Sequence, residues 1–325
     1  MINRKSSLFQ ELTEHELKAV LMESLGPGET EPPRLLEGGL FNTTYLISRT
    51  NPPGKYVLRM GPVNRHLVLP YERKLMQAER EAYRLLALHG IPSSKVVACD
   101  TSGRVIDRDY MLVEYIPSVP IFDDSVPEGE KDRLYEQVGR YAAKMHKITG
   151  PAFGRLADVV GGKGYSAWYD FLQAETEQLE QACRPYGIFS KGEISQIMEI
   201  LWKYRAFWGK VEIPHFVHMD LWDGNILVQP SPEGDGFQIA AIIDGDRALY
   251  GDPDYDFSTP WISREAFFRG AGREKPDPAE PGEKAMIYQM LIAASDAYIC
   301  QVEYNNPEGS LENQEKVRDF IQKLR

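Results

Sequence analysis

The octapeptide HMDLWDGN, residues 218–225, is a polar loop held between two strand-like runs, 215–217 and 226–228, so its backbone is anchored on both sides. Asp220 and Asn225 are separated by four residues. That spacing lets one loop aim a carboxylate at a substrate hydroxyl and an amide oxygen at a metal ion, the layout of a phosphoryl-transfer loop. A polar turn between two core strands would explain this loop alone, but a second acid follows closely. After an exposed loop at 230–236, the apolar run 238–243 ends in Asp244, which puts another carboxylate at the mouth of a buried strand. Asp220 as base, with Asn225 and Asp244 as magnesium ligands, suits a transition state in which metal neutralises phosphates while the base orients the nucleophile.

The loop HMDLWDGN, followed by IIDGDRALYGDPDYDF at 242–257, resembles the aminoglycoside phosphotransferase and choline kinase family, relatives of protein kinases that phosphorylate small molecules. The resemblance spans roughly residues 37–257. It implies an α+β, protein-kinase-like two-lobed fold: a small N-terminal antiparallel sheet with one helix, then a larger, mainly helical C-terminal lobe. The lobes are expected at residues 1–115, for the nucleotide, and 116–325, for catalysis and the acceptor. It further implies that His218 and Asp256 brace the catalytic loop, and Trp222 is similar to the Trp of the related ketosamine kinase motif. Asp246 reads either as a further metal ligand or as a partner for Arg247, and the other acids of GDPDYDF, Asp252 and Asp254, read as turn and cap residues.

Composition sets the outer bounds. The chain has 325 residues, 42% hydrophobic and 26% charged, which fits a folded globular protein large enough for two cores. A net charge of −11 argues against nucleic acid as a partner, because a phosphate backbone demands a basic face, and is compatible with a cationic small molecule. The three cysteines, Cys99, Cys183 and Cys300, are too dispersed for a zinc site, and reduced thiols are expected in a cytoplasmic setting. No run reaches the length of a membrane span, and MINRKSSLFQ lacks the apolar core of a signal peptide. No obligate protein partner is expected.

The N-terminal third reads as a helix over 13–24, capped by Thr13 with Glu16 three residues on, and then as strands. Gly38 and Gly39 form a turn before the alternating strand 43–47, where backbone amides can approach phosphate oxygens. The family uses a loose loop with an Asn here, and Asn42 fits it. In the strand 55–60, Lys55, Val57 and Arg59 share one face, which places Val57 under adenine and Arg59 at the phosphates. Protein kinases carry Lys at the Arg59 position; Arg keeps the charge and changes the geometry. The helix 71–89 offers Glu79 and Glu81 as partners for Arg59, and Glu81 is the family-matched one. Strands at 95–98 and 110–114 complete a five-stranded sheet. The crossover after it gives the Glu114 carbonyl and the Ile116 N–H to adenine, by likeness to kinases, with Met111 or Leu112 packing nearby.

Helices are expected at 128–147, 166–183, 192–208, 283–304 and 311–324. They supply the acceptor site: Trp168, Asp170, Glu175 and Glu177 as an aromatic and acidic cluster, with Asp296 and Glu303 on the late helices, to hold an amine through ion pairs and stacking. The reading is thus an ATP- and magnesium-dependent phosphotransferase, with GTP as the alternative nucleotide. Its acceptor is the hydroxyl of an aminoglycoside-like or other amine-bearing sugar. Ketosamine, choline-type and other metabolite kinases are the enzymatic alternatives, and a nucleotide-binding protein without catalysis is the alternative of a different class.

Overall fold

A computed structural model describes residues 6–36, 41–234 and 236–325. Helix α1 (Glu14–Leu25) begins where the capping box predicts, with Thr13 and Glu16 exchanging their hydrogen bonds. Strands β1 (Glu29–Thr30), β2 (Arg34–Leu35), β3 (Thr43–Asn51) and β4 (Pro53–Met60) lead to α2 (Leu75–Leu88), β5 (Val96–Asp100) and β6 (Tyr110–Glu114). The sheet runs β1-β3-β4-β6-β5, with β2 also on β3, and all its pairs are antiparallel. It has six strands rather than five, because the stretch after α1, read as a break, adds the two-residue β1 at the edge.

Alternation along β4 sorts the sheet's two faces. Leu58 and Met60 join Tyr45, Ile47, Tyr110 and Leu112 against Val20 of α1, whereas Val57 meets Met76 and Tyr83 of α2 on the other face. The opposite flank of α2 is buried too: Ala78, Ala82, Leu85 and Leu86 pack with Leu134, Val138 and Ala142. The link between β4 and α2 also leaves the sheet, since Leu69 lies in one core with Trp168, Phe171 and Ile287. Although residues 61–74 precede the crossover in sequence, Leu67, Leu69 and Tyr71 serve the helical core.

Beyond the crossover come β7 (Val119–Pro120), α3 (Glu128–Met145), β8 (Gly154–Arg155), α4 (Leu156–Val160), α5 (Trp168–Cys183), α6 (Lys191–Lys203) and the single turn α7 (Arg205–Trp208). Strands β9 (His215–Val217), β10 (Ile226–Pro230), β11 (Phe237–Ile242) and β12 (Leu249–Gly251) interrupt the helices. The chain then finishes with α8 (Asp254–Phe257), α9 (Glu265–Gly270), α10 (Glu283–Tyr298) and α11 (Pro307–Leu324). A π turn, Ile299–Glu303, extends α10. Among the described residues no helix is long and apolar enough to cross a membrane.

Candidate active site

The β10–β11 hairpin explains why two motifs distant in sequence meet. Its register pairs Ile226 with Ile242, so Asn225, just before β10, lies opposite Ile243, just after β11, and the Ile243 N–H donates to the Asn225 carbonyl at 2.9 Å. Asp220 and Asp244 therefore emerge at the same end of the hairpin. Asn225 is 2% exposed, and its Nδ2 donates to the Asp220 carbonyl and to Asp220 Oδ2, both at 2.9 Å. That grip fixes the Asp220 carboxylate and leaves Asn225 Oδ1 as the atom a cation would take.

Two residues of the site adopt left-handed backbone: Met219 at φ 70° and Asp244 at φ 57°. Such conformations cost on the order of 1 kcal/mol or more outside glycine, and the surroundings hold them. Asp256, fully buried, accepts the His218 N–H at 3.0 Å and the Met219 N–H at 2.7 Å, while His146 Nε2 lies 2.8 Å from the same carboxylate. Burial pushes the Asp256 carboxyl up, but the hydrogen bond and charge of His146, with the Met219 N–H, hold it below the usual range. His218 is buried and shifted down by desolvation. It stays neutral, and its Nδ1 accepts the Asp220 N–H at 3.3 Å, which assigns the proton to Nε2.

The stability held by Asp256 has a definite pH signature. A carboxyl depressed below its ordinary value of 3.8 contributes stability that is fully present above that pH and is lost as pH falls through the depressed value. Asp256→Asn is expected to destabilise the fold at neutral pH by about 3 kcal/mol, since a buried charged acceptor is replaced by a neutral one. Denaturant titrations should show the gap to the parent chain narrowing only as pH drops below about 4. A gap independent of pH would assign Asp256 a packing role instead.

On the nucleotide side the structure corrects one pairing. Arg59 Nη1 bonds Glu79, which is 1% exposed, and Arg59 Nη2 bonds Asp244. Glu81, the expected partner, turns away from the sheet and holds Arg84 at 2.6 Å on the surface of α2. Helical spacing contains the reason: Glu79 sits between the buried Ala78 and Ala82 and one turn before Tyr83, whose hydroxyl donates to it at 2.5 Å, whereas Glu81 lies three residues before an arginine. Tyr83 also accepts the Asp244 N–H at 3.3 Å, a link that no motif announced. A double-mutant cycle on nucleotide-linked stability should give Arg59 and Glu79 a coupling of about 2 kcal/mol and leave Arg59 and Glu81 additive within about 0.5 kcal/mol. The reverse pattern would restore Glu81.

Glu79, Asp244 and Asp246 bring carboxylate oxygens within 4.8 Å of one another. Crowding of like charges shows in their protonation: burial, with Asp244 adding to it, raises Glu79 to about 7, and burial with Asp244 and Glu79 raises Asp246 well above the ordinary range. Hard oxygen donors gathered in this way are the chemistry a magnesium ion requires, so Asp244, with Asn225 alongside, fits a metal. Asp246 belongs to this acidic group and does not pair with Arg247, which is held by Glu72 at 3.1 Å. The turn reaches α2 because residue 245 is glycine: a Cβ there would stand 2.8 Å from the Ala82 Cβ.

Other expected nucleotide contacts are placed as follows. Asn42, in the amide orientation that satisfies both of its atoms, accepts from Arg59 Nη2 at 2.9 Å and donates to the Met60 carbonyl at 3.3 Å. Val57 lies on the α2 face of β4. Glu114 ends β6, its side chain paired with Lys95 at 2.6 Å, and Ile116 begins the crossover. Gly38 and Gly39 lie outside the described residues.

The acceptor residues fare differently. A cleft of about 340 Å³ opens beside Asp220 and is lined by Met219, Trp222, Arg247, Trp261 and Asp296, among others. Asp296 is thus the one expected acid that lies there. Trp168 is fully buried and donates to the Tyr288 hydroxyl at 2.8 Å, so it is core rather than stacking platform. Asp170 and Glu177 are exposed on α5 outside the cleft lining. Glu175 is tied to Arg155 at 2.9 Å. Glu303 is buried next to Glu72, and burial together with that neighbouring charge raises its carboxyl well above the ordinary range. Residues the sequence did not single out, Tyr71, Arg155, Tyr255, Trp261 and Tyr304, line the cleft instead. No short motif joins them, since they come from five separate elements and loops.

Residues 33–280 match the sequence profile of the phosphotransferase enzyme family. The chain belongs to that family. No curated protein matches it in sequence, but solved phosphotransferase structures share its fold. Aminoglycoside phosphotransferase APH(4)-Ia, a thermostable mutant in ternary complex with AMP-PNP and hygromycin B, superposes with a TM-score of 0.66 at 19% identity, covering 94% of this chain and 98% of that one. A candidate fructosamine-3-kinase from Haemophilus somnus 129PT gives 0.64 at 17%, covering 94% and 96%. APH(2")-IIIa bound to GDP and kanamycin gives 0.62 at 14%, covering 95% and 99%. The two-lobed kinase-like fold is therefore shared over 94–95% of this phosphotransferase.

Proposed function

We propose that this phosphotransferase moves the γ-phosphate of ATP, with magnesium, to a hydroxyl of a small molecule, with GTP as the alternative donor. The observation that carries the reading is the meeting of Asp220, Asn225 and Asp244 at one end of the hairpin, at the edge of a cleft able to hold a small acceptor. Adenine would lie between Val57 and the crossover, taking the Glu114 carbonyl and the Ile116 N–H. Arg59, aligned by Glu79, would grip phosphate oxygens through its fork.

Asp220 then accepts the proton of the attacking hydroxyl. Burial first, and then the charge of Asp244, raises its carboxyl to about 6, against the lowering influence of Arg247 and Asn225, which suits a group that must take up a proton. Asn225 orients that carboxylate. Magnesium, when bound by Asn225 and Asp244, supplies neutralisation of phosphate charge. Of the acids expected to hold an amine-bearing sugar, Asp296 remains in the cleft, and it would pair with a single amine. We place the activity in the cytoplasm, without an obligate protein partner. The test is release of ADP from ATP that needs both magnesium and a small-molecule alcohol, with formation of the phosphorylated alcohol measured directly. Turnover without magnesium, or transfer to water alone across a broad panel of alcohols, would defeat the reading.

A further inference from the structure

The acceptor cleft is aromatic where an amine-binding site would be acidic. Its two arginines are already balanced: Arg155 is paired with Glu175, at 2.9 Å from its Nε, and lies 3.8 Å over the Tyr71 ring, and Arg247 is paired with the buried Glu72 at 3.1 Å. Apart from Asp220, that leaves Asp296 as the one acid among the described residues lining the cleft, and burial raises its carboxyl. A polyamine would bring several charges to a site that offers one counter-charge.

Trp222 lines the cleft and is 44% exposed. Its position is nevertheless fixed. Phe122, itself 51% exposed, stacks on it with ring centroids 6.4 Å apart and planes inclined by 22°. The indole also lies on Gly224 so closely that a Cβ there would stand 2.2 Å from the Trp222 Cη2 and Cζ2 atoms. A large aromatic held ready at the mouth of a cleft is a platform for a flat partner, which gains dispersion and apolar burial at low entropic cost. Trp261 lines the same cleft, and its buried indole N–H donates to no protein group among the described residues. An oxygen of a bound molecule that reached it would satisfy this donor.

We propose that the acceptor is a ring-bearing alcohol, neutral or singly charged, that lays a flat apolar face on Trp222 and offers an oxygen to the Trp261 N–H. An aryl ring and the C–H face of a sugar both have this chemistry. The proposal rests on the cleft beside Asp220 being the acceptor site of the phosphotransferase reading.

The test is binding measured by calorimetry on the full chain, with and without magnesium and a non-hydrolysable ATP analogue. The probes are phenyl β-D-glucopyranoside, methyl β-D-glucopyranoside, benzyl alcohol and kanamycin. Phenyl glucoside is expected to bind at least about tenfold tighter than kanamycin, to lose about tenfold or more with Trp222→Ala, and to recover to within about threefold with Trp222→Phe. Trp261→Phe, which removes little beyond the N–H, should weaken it by about threefold or more. Retained binding of methyl glucoside assigns the sugar face, and retained binding of benzyl alcohol the aryl face. Kanamycin as the tighter ligand, no binding of phenyl glucoside, or affinity unchanged by Trp222→Ala would overturn the proposal. Binding is read without turnover, so a failure of the phosphotransferase reading shows separately, as no magnesium-dependent transfer from ATP.

Discussion

Asp220→Ala is expected to lower kcat by about 10²-fold or more on the true acceptor while nucleotide affinity stays within about twofold. The asymmetry follows from geometry. The Asp220 carboxylate borders the cleft and is gripped by Asn225, and in the proposed mechanism it acts on the hydroxyl, not on the nucleotide. Asp220→Asn refines the test, because it keeps size and lining and removes the ability to take a proton. Equal losses in both variants would show that charge and basicity matter rather than volume. A variant that turned over within about threefold of the parent chain would remove Asp220 from the chemistry.

Asp244 should behave differently, and the informative substitution there is Asp244→Asn. The residue has φ 57°, a conformation asparagine tolerates better than alanine, so the amide removes charge with little added backbone strain. If Asp244 binds magnesium, the ion needed for nucleotide binding and the ion needed for transfer are lost together. Turnover should fall by about 10²-fold and the magnesium concentration for half-maximal rate should rise by about tenfold or more. One further effect follows from Arg59, which holds both Asp244 and Glu79. With Asp244 neutral, a charge that raises the buried Glu79 carboxyl is gone, and the Arg59–Glu79 pair should tighten. An unchanged magnesium requirement would exclude Asp244 from the metal site.

The loop from His218 to Asn225 was legible in the sequence because its chemistry is local. One octapeptide carries Asp220 and Asn225, and the hairpin that brings Asp244 beside them follows within 20 residues. Strand alternation likewise placed Val57 on the face of the sheet opposite Leu58. The Arg59 partner differs from the expected Glu81 because helix geometry puts Glu79 on the buried flank of α2 and Glu81 beside Arg84. Five of the six residues expected at the acceptor lie outside the cleft beside Asp220 for another reason. The sequence shows the charge of the acids on α5 but not the direction in which they point. Arg155, from β8, reaches across to cancel Glu175, and the packing of Trp168 against Phe171 and Tyr288 buries the ring expected to stack on substrate. Residues drawn one at a time from several elements leave no periodic trace.

Helix α2 is gripped from both sides: Met76 and Tyr83 meet the sheet, while Ala78, Ala82, Leu85 and Leu86 meet the helical core, and the preceding segment plants Leu69 among the helices. An outward swing of this helix would carry Glu79 off Arg59, and it would expose those leucines at about 3–6 kcal/mol for Leu85 and Leu86 together. No signal of ordinary size, such as a single phosphate at about 1–3 kcal/mol of allosteric coupling, would move it. The Arg59–Glu79 contact is therefore held by packing on two fronts, and is expected to persist whether or not the cleft is occupied.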